Sequence, residues 1–160
     1  MAARPKLLVY VTGIHRLCYA PPKAMNPFDI LFRTNKFNLS QVKDHFINPC
    51  CFGEDLAAWL APKLREKGVR IRDPYQEDWG WELPVSLGDA SYYLCMSGNS
   101  DELPGDMDLG EWRIIVQKRR SLLDRIANRG TIQPDDPMLA ILQQILSSDP
   151  AIREVRLGDE

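Results

Sequence analysis

The stretch that decides the fold is Gln76-Glu77-Asp78-Trp79-Gly80-Trp81-Glu82. Two tryptophans flank one glycine, and carboxylates lie on both sides of them. Side chains two positions apart point to the same face of a strand. Trp79 and Trp81 are therefore predicted to share one buried face of a strand, where they pack near Trp59. The acidic residues before them predict a turn at the entry to that strand. This pattern indicates a packed core and names no reaction.

Length and composition predict one globular domain. The chain has 160 residues, 44% of them hydrophobic, which is enough for a sizeable core. The net charge of −2 argues against nucleic acid as the main partner, because domains that bind phosphates are usually clearly basic. No apolar run approaches the roughly 20 residues that cross a bilayer, so no membrane partner is expected. Four cysteines without C-x-x-C spacing indicate reduced thiols and a cytoplasmic protein.

Residues 1–27 differ from the rest of the chain. They carry basic residues and no acidic residue, and Pro21-Pro22 interrupts any helix or central strand. We predict that residues 1–27 are a poorly packed N-terminal extension and that residues 28–160 form a single α+β domain. A genuine first strand at Leu7–Val11 is the alternative.

The body of the chain mixes helical and strand patterns. Glu54 opens the clearest helix, which Gly68 ends, and Asp136 caps a second helix. Between them, alternating apolar residues joined by short turns predict an antiparallel meander. The strands predicted there are Val69–Ile71, Trp79–Val85, Ser91–Met96 and Glu111–Lys118. One or two short strands are also predicted within Pro27–Leu39, before the first helix, and a final strand at Ile152–Leu157, after the second. The expected architecture is a two-layer sandwich, an antiparallel sheet of about four to six strands with two helices on one face.

A search for catalytic motifs finds none. The two histidines, His15 and His45, lie outside any triad motif, and no glycine-rich phosphate loop or metal-ligand cluster is present. A Cys50–His45 pair is left open as a nucleophile and base. We therefore predict no catalytic residue, no metal and no cofactor.

Carboxylates bracket the Trp79 strand. Glu54 and Asp55 begin the first helix, and Glu77 and Asp78 precede the strand. Brought together, they could hold a cation or transfer protons. Helix-end electrostatics and turn formation explain them as well. The candidate binding residues are Cys50, Glu54, Asp55, Glu77, Asp78 and Trp79.

Four strings in a fixed order resemble a family of small uncharacterised bacterial proteins. The strings are Ile47-Asn48-Pro49-Cys50-Cys51-Phe52-Gly53-Glu54-Asp55-Leu56, Gln76-Glu77-Asp78-Trp79-Gly80-Trp81, Glu111-Trp112 and Arg120-Ser121-Leu122-Leu123-Asp124-Arg125. The resemblance extends from Phe32 to Leu157. It implies a fold and a cytoplasmic compartment but no reaction, and it favours Met25 as the start of the protein.

Two hypotheses about function follow. The first is a non-enzymatic protein-interaction module, of which toxin-neutralising, immunity-like binding is one version. The alternative is a small enzyme or ligand-binding protein with its site between Cys50–Asp55 and Glu77–Trp79.

A basic run from Lys118 to Arg129 could contact phosphates, form a solvated face or pair with nearby acids. The ligand, the partner and the oligomeric state are not specified by the sequence.

Overall fold

The computed structural model describes residues 28–49, 51–99 and 109–158. This part of the chain holds seven strands and three helices. The strands are β1 (Ile30–Thr34), β2 (Arg70–Ile71), β3 (Tyr75–Glu77), β4 (Gly80–Leu87), β5 (Ala90–Asn99), β6 (Gly110–Lys118) and β7 (Arg153–Leu157). The helices are α1 (Glu54–Glu66), α2 (Leu122–Ile126) and α3 (Pro137–Ser147). The α+β class is therefore confirmed, with more strands than the four to six expected.

All seven strands belong to one antiparallel sheet in the order β2-β4-β5-β6-β1-β7, with β3 also paired to β4. Two short strands share the β4 edge because Pro84 interrupts it. The Pro84 carbonyl accepts the Arg72 N–H at 3.0 Å, but Pro84 has no N–H to return to the same neighbour. The edge is consequently divided into β2 and β3, which explains the extra strand.

Helix α3 begins, and helix α1 ends, at the residues that the sequence predicts for these positions. Asp136 caps α3 by accepting the Met138 N–H at 3.0 Å. At the end of α1 the Val69 N–H donates to the Leu64 carbonyl at 3.0 Å, and Gly68 has a φ of 78°. This is a Schellman motif, which occupies carbonyls that the helix itself leaves without partners.

Helices α1 and α3 pack on one face of the sheet, and the main core lies between these layers. Leu56, Leu60 and Leu64 of α1 are fully buried. The largest fully buried sheet side chains of this core are Ile30, Phe32, Leu83, Tyr92, Leu94, Met96, Trp112 and Ile114. The opposite face also buries apolar groups, since Cys95 and Ile115 are at most 4% exposed. Apolar side chains are therefore buried on both faces of the sheet.

The prediction that Trp79 and Trp81 share a strand face is wrong. Trp79 lies in the turn between β3 and β4, and it is only half-buried, whereas Trp81 in β4 is 6% exposed. The reason is that Tyr75–Glu77 pairs back on β4 as a hairpin, so the residues between the two strands form its turn. Trp81 packs against Phe46, with ring centroids 5.6 Å apart, and Trp59 packs against Phe37 instead.

Two predictions lie outside the described residues, namely the extension at residues 1–27 and the candidate site residue Cys50. Within residues 28–49, 51–99 and 109–158, no helix combines the length and the apolar character needed to cross a membrane.

Candidate functional site

The side chain of Gln76 joins the 47–56 stretch to the 76–81 hairpin. Gln76 is buried in β3, and its carboxamide oxygen accepts the backbone N–H groups of Ile47 and Asn48. Its amide nitrogen donates to the carbonyls of Asn48 and Cys51, both at 2.9 Å. These four bonds use both donors and both lone pairs of the carboxamide. The loop before α1 is therefore fixed to the β3–β4 hairpin by one fully bonded side chain.

Cys51 lies in the same junction, and its thiol is protonated at neutral pH. Its carbonyl accepts the Trp81 indole N–H at 3.1 Å, and its thiol donates to the Asp78 carbonyl at 3.2 Å. Burial, reinforced by the negative charge of Asp78, raises the pKa of Cys51 to about 11. A thiol with that pKa is protonated at neutral pH and is a weak nucleophile. Cys51 therefore serves packing and hydrogen bonding.

Two glycines, one from each string, approach the same backbone carbonyl. A Cβ atom at Gly80 would overlap the Met96 carbonyl oxygen, and a Cβ atom at Gly53 would lie 3.1 Å from it. Gly53 also has a φ of 143°, a conformation that residues with a Cβ atom rarely adopt. Close packing against β5 therefore accounts for both glycines without a ligand.

The two helix-start carboxylates already have protein partners. Glu54 pairs with Lys43, and His45 Nε2 lies 2.6 Å from Glu54 Oε1. Burial opposes the charge on Glu54, but the hydrogen bonds from Lys43 and His45 outweigh it and lower its pKa. Asp55 accepts the Asn38 N–H at 2.5 Å. Both carboxylates thus tie the segment before α1 to the helix itself.

The hairpin carboxylates both lie at the surface of the protein. Asp78 is exposed in the turn and accepts the Asn48 side-chain amide at 3.1 Å. Glu77 is exposed as well and points to the sheet face opposite the neighbouring Gln76, because side chains alternate along a strand. Among the described residues, no group of three or more His, Cys, Asp and Glu side chains is placed to hold a metal ion.

A second candidate surface lies on helix α2, which follows β6. Helix α2 carries Leu122, Leu123 and Ile126, which are 76%, 73% and 84% exposed. The helix nonetheless has a complete N-terminal cap, because Ser121 and Asp124 make a reciprocal capping box at its start. The hydrogen bond from the Ser121 hydroxyl, helped by Arg129 and Arg120, lowers the pKa of Asp124, so this carboxylate is charged and engaged within the helix.

Positive charge surrounds these apolar side chains. Residues 118–130, called the α2 surface below, include five basic residues and one acidic residue, a net charge of +4 in a chain of −2. Lys118 is bound by Asp136 at 3.1 Å. The remaining cations of the α2 surface make no ion pair within 4 Å among the described residues; they are Arg119, Arg120, Arg125 and Arg129.

A groove of about 680 Å³ lies beside α2, between its first turn and the start of β5. Its lining includes Ser91, Arg119, Arg120 and Gly130, together with the carboxylates of Asp89 and Asp124. The sequence marked the basic run from Lys118 to Arg129. It could not show that the three apolar side chains face solvent, because a Leu-Leu-x-x-Ile pattern is equally typical of a helix packed on a core.

The five candidate residues that the structure describes thus divide among several local roles, and Cys50 lies outside the described residues. Glu54 and Asp55 bind the preceding segment, Asp78 and Trp79 form a hairpin turn, and Glu77 lies on another face. Searches against protein-family models, curated proteins and solved structures found no match to this chain.

Proposed function

We propose that this protein is a non-enzymatic, cytoplasmic protein-binding module and that it binds through the α2 surface. The observation that carries the proposal is the exposure of Leu122, Leu123 and Ile126 together on one short helix. Single exposed apolar residues are ordinary on protein surfaces, but a contiguous apolar patch with a polar rim is typical of an interaction site. Here the rim is made of arginine, a residue enriched in protein interfaces.

The energetics favour burial of this helix by a partner. Covering a Leu or Ile side chain completely is worth about 1.5–3 kcal/mol, so three such side chains can supply a useful share of a binding free energy. The capping box and the two exposed leucines belong to the Arg120–Arg125 string that carries the family resemblance. A toxin-neutralising, immunity-like role is one concrete version of this function.

The enzyme alternative has less support. Its site was expected between Cys50–Asp55 and Glu77–Trp79. These stretches do meet, but through the bonds of Gln76, the indole of Trp81 and the close approach of Gly53 and Gly80 to β5. Packing requirements explain those residues without a substrate.

The test is co-purification from the native host with a matched pair of variants. The triple variant Leu122→Ser/Leu123→Ser/Ile126→Ser removes the apolar side chains of α2, and Ile47→Ser removes an equally exposed one elsewhere, at 77% exposure. We expect a stoichiometric partner that binds the wild type and Ile47→Ser, is lost with the triple variant and rebinds when both proteins are purified. Identical partner profiles for all three chains, or turnover of a substrate by the purified chain, would contradict the proposal.

A further inference from the structure

We infer that the partner segment bound by the α2 surface is acidic and carries apolar side chains on one face. The inference rests on the proposed function and gives the chemistry of the partner. It follows from three properties of the same surface, namely its unpaired positive charge, its exposed apolar side chains and the adjoining groove.

The positive charge of the α2 surface favours a negatively charged partner. Arg119, Arg120, Arg125 and Arg129 make no ion pair within 4 Å in the described part of the chain, and the nearby Asp124 is engaged by its capping box. Carboxylates fit guanidinium groups in a bidentate geometry, and complementary charge accelerates encounter and excludes partners of the wrong sign. A basic partner would instead meet the net charge of +4 that residues 118–130 carry.

The apolar side chains set the second requirement. Leu122, Leu123 and Ile126 gain from a partner only if apolar atoms replace the water around them. A purely acidic segment would bind the arginines and leave this gain unused. The partner therefore presents carboxylates and large apolar groups together, as an acidic amphipathic helix or strand does.

The groove and the residue types favour a protein segment over other anions. A concave groove of about 680 Å³ next to α2 can receive a side chain, whereas a flat lipid surface cannot fill it. The α2 surface contains no aromatic residue on which the bases of single-stranded nucleic acid could stack. Nucleic acid would use the arginines alone, and an anionic membrane would take up the apolar side chains but leave the groove empty, so both become outcomes of the test.

The experiment selects peptides from a random phage-displayed library on the wild-type full chain. Clones that also bind the triple variant Leu122→Ser/Leu123→Ser/Ile126→Ser are discarded. A second variant, Arg119→Glu/Arg120→Glu, reverses the charge of the surface. Its matched control, Arg65→Glu/Arg72→Glu, makes the same change at two exposed arginines outside the α2 surface. Synthetic copies of the enriched peptides are then titrated by fluorescence anisotropy, and phosphatidylserine vesicles and single-stranded DNA are titrated in parallel.

We expect the enriched peptides to be net acidic with large apolar residues and to bind Arg119→Glu/Arg120→Glu at least about tenfold more weakly than wild type, a change of 1.4 kcal/mol. The control variant should match wild type within about twofold. Peptides that are neutral, basic or acidic without apolar residues would overturn the inference, as would failure to enrich any clone. Tight binding of the vesicles or the DNA through Arg119 and Arg120 would overturn it too, and so would self-association that the triple variant abolishes.

These outcomes separate the inference from the proposed function. A native partner that is lost with the triple variant but unaffected by Arg119→Glu/Arg120→Glu would leave the function standing and refute the partner chemistry. The absence of any native partner that needs α2 would refute the function itself, whatever the peptide library yields.

Discussion

Gln76 in β3 holds Cys51 in the loop before α1, through a side-chain amide that donates to the Cys51 carbonyl across 2.9 Å. The same carbonyl accepts the Trp81 indole N–H at 3.1 Å. One backbone oxygen therefore receives a hydrogen bond from each of two neighbouring strands, β3 and β4. The loop carrying Asn48 and Cys51 has no regular structure of its own, so its position depends on these side-chain bonds.

Gln76→Leu should cost about 2–4 kcal/mol of unfolding free energy. The substitution preserves volume but leaves two backbone N–H groups and two carbonyls of the 47–51 loop with one partner fewer, and each buried unsatisfied group costs about 1–3 kcal/mol. Urea denaturation at pH 7 measures the loss. Gln41→Leu, at an exposed position, is the matched control and should change stability by less than about 0.5 kcal/mol. Equal behaviour of the two variants would show that the loop does not depend on Gln76.

Gly80→Ala should destabilise the protein by about 3 kcal/mol or more, at the upper end for overpacking. The added methyl group would collide with the backbone carbonyl of Met96, which cannot rotate away as a side chain would. Gly88→Ala is the comparison, because Gly88 has a φ of 57° and no atom within 4 Å of an added Cβ. It should cost only the conformational strain of about 1–2 kcal/mol. A smaller loss for Gly80→Ala than for Gly88→Ala in urea would contradict the packing account.

Trp81→Ala should cost about 3–5 kcal/mol, as truncation of a buried aromatic does. Trp79→Ala should cost clearly less, about 1 kcal/mol, because the Trp79 ring is half-buried in a turn. The two variants delete the same atoms two residues apart, so each is the control for the other. Melting temperatures of the wild type and the two variants, measured at equal protein concentration, test this difference. A loss for Trp79→Ala as large as that for Trp81→Ala would mean that the turn is a core element.

The helices were predictable because their signals are local. A cap such as Asp136, a terminal glycine such as Gly68 and a leucine stripe all act within a few residues of the chain. The error at Trp79 is different in kind. Side chains alternate between the two faces of a strand, so the pairing register of a hairpin decides which residues face the core and which form the turn. That register depends on the partner strand. The composition of Gln76–Glu82 alone allows Trp79 in either place.

The candidate site shows the same limit. Sequence placed Glu54, Asp55, Glu77 and Asp78 near one another, and the helix and hairpin starts do approach each other. Which sheet face each carboxylate takes depends on the register of β3 with β4, which the local sequence does not encode. The exposure of α2 was hidden for a related reason, because burial is a property of the whole fold.

Asp149→Asn should make stability less dependent on pH in the acid range. The Asp149 pKa is lowered by the hydrogen bond from Lys36 at 2.6 Å and by that from the Ala151 N–H. A lowered folded-state pKa means that the charged form stabilises the fold above the unfolded pKa of about 3.9, and that this contribution is lost as pH falls through the folded value. Asparagine keeps the acceptor for Ala151 and removes the charge.

The wild type should therefore be more stable than Asp149→Asn by about 0.5–1 kcal/mol at pH 7, the scale of a surface ion pair, and the difference should shrink as the pH falls through the lowered pKa of Asp149. Urea titrations from pH 7 to pH 3 measure it. The same substitution in a Lys36→Met background is the control and should show a smaller pH dependence. A difference that grows as the pH falls would contradict the assigned sign.

The triple variant Leu122→Ser/Leu123→Ser/Ile126→Ser should leave folding stability unchanged within about 1 kcal/mol. The three side chains are more than 70% exposed, so their removal forfeits little buried area, and the capping box of Ser121 and Asp124 stays in place. Leu142→Ser in α3 is the contrasting change, because Leu142 is fully buried and its loss should cost more than about 3 kcal/mol. Urea denaturation and far-UV circular dichroism measure both. If the triple variant unfolded as readily as Leu142→Ser, these side chains would belong to the core, and their exposure could no longer support a binding surface.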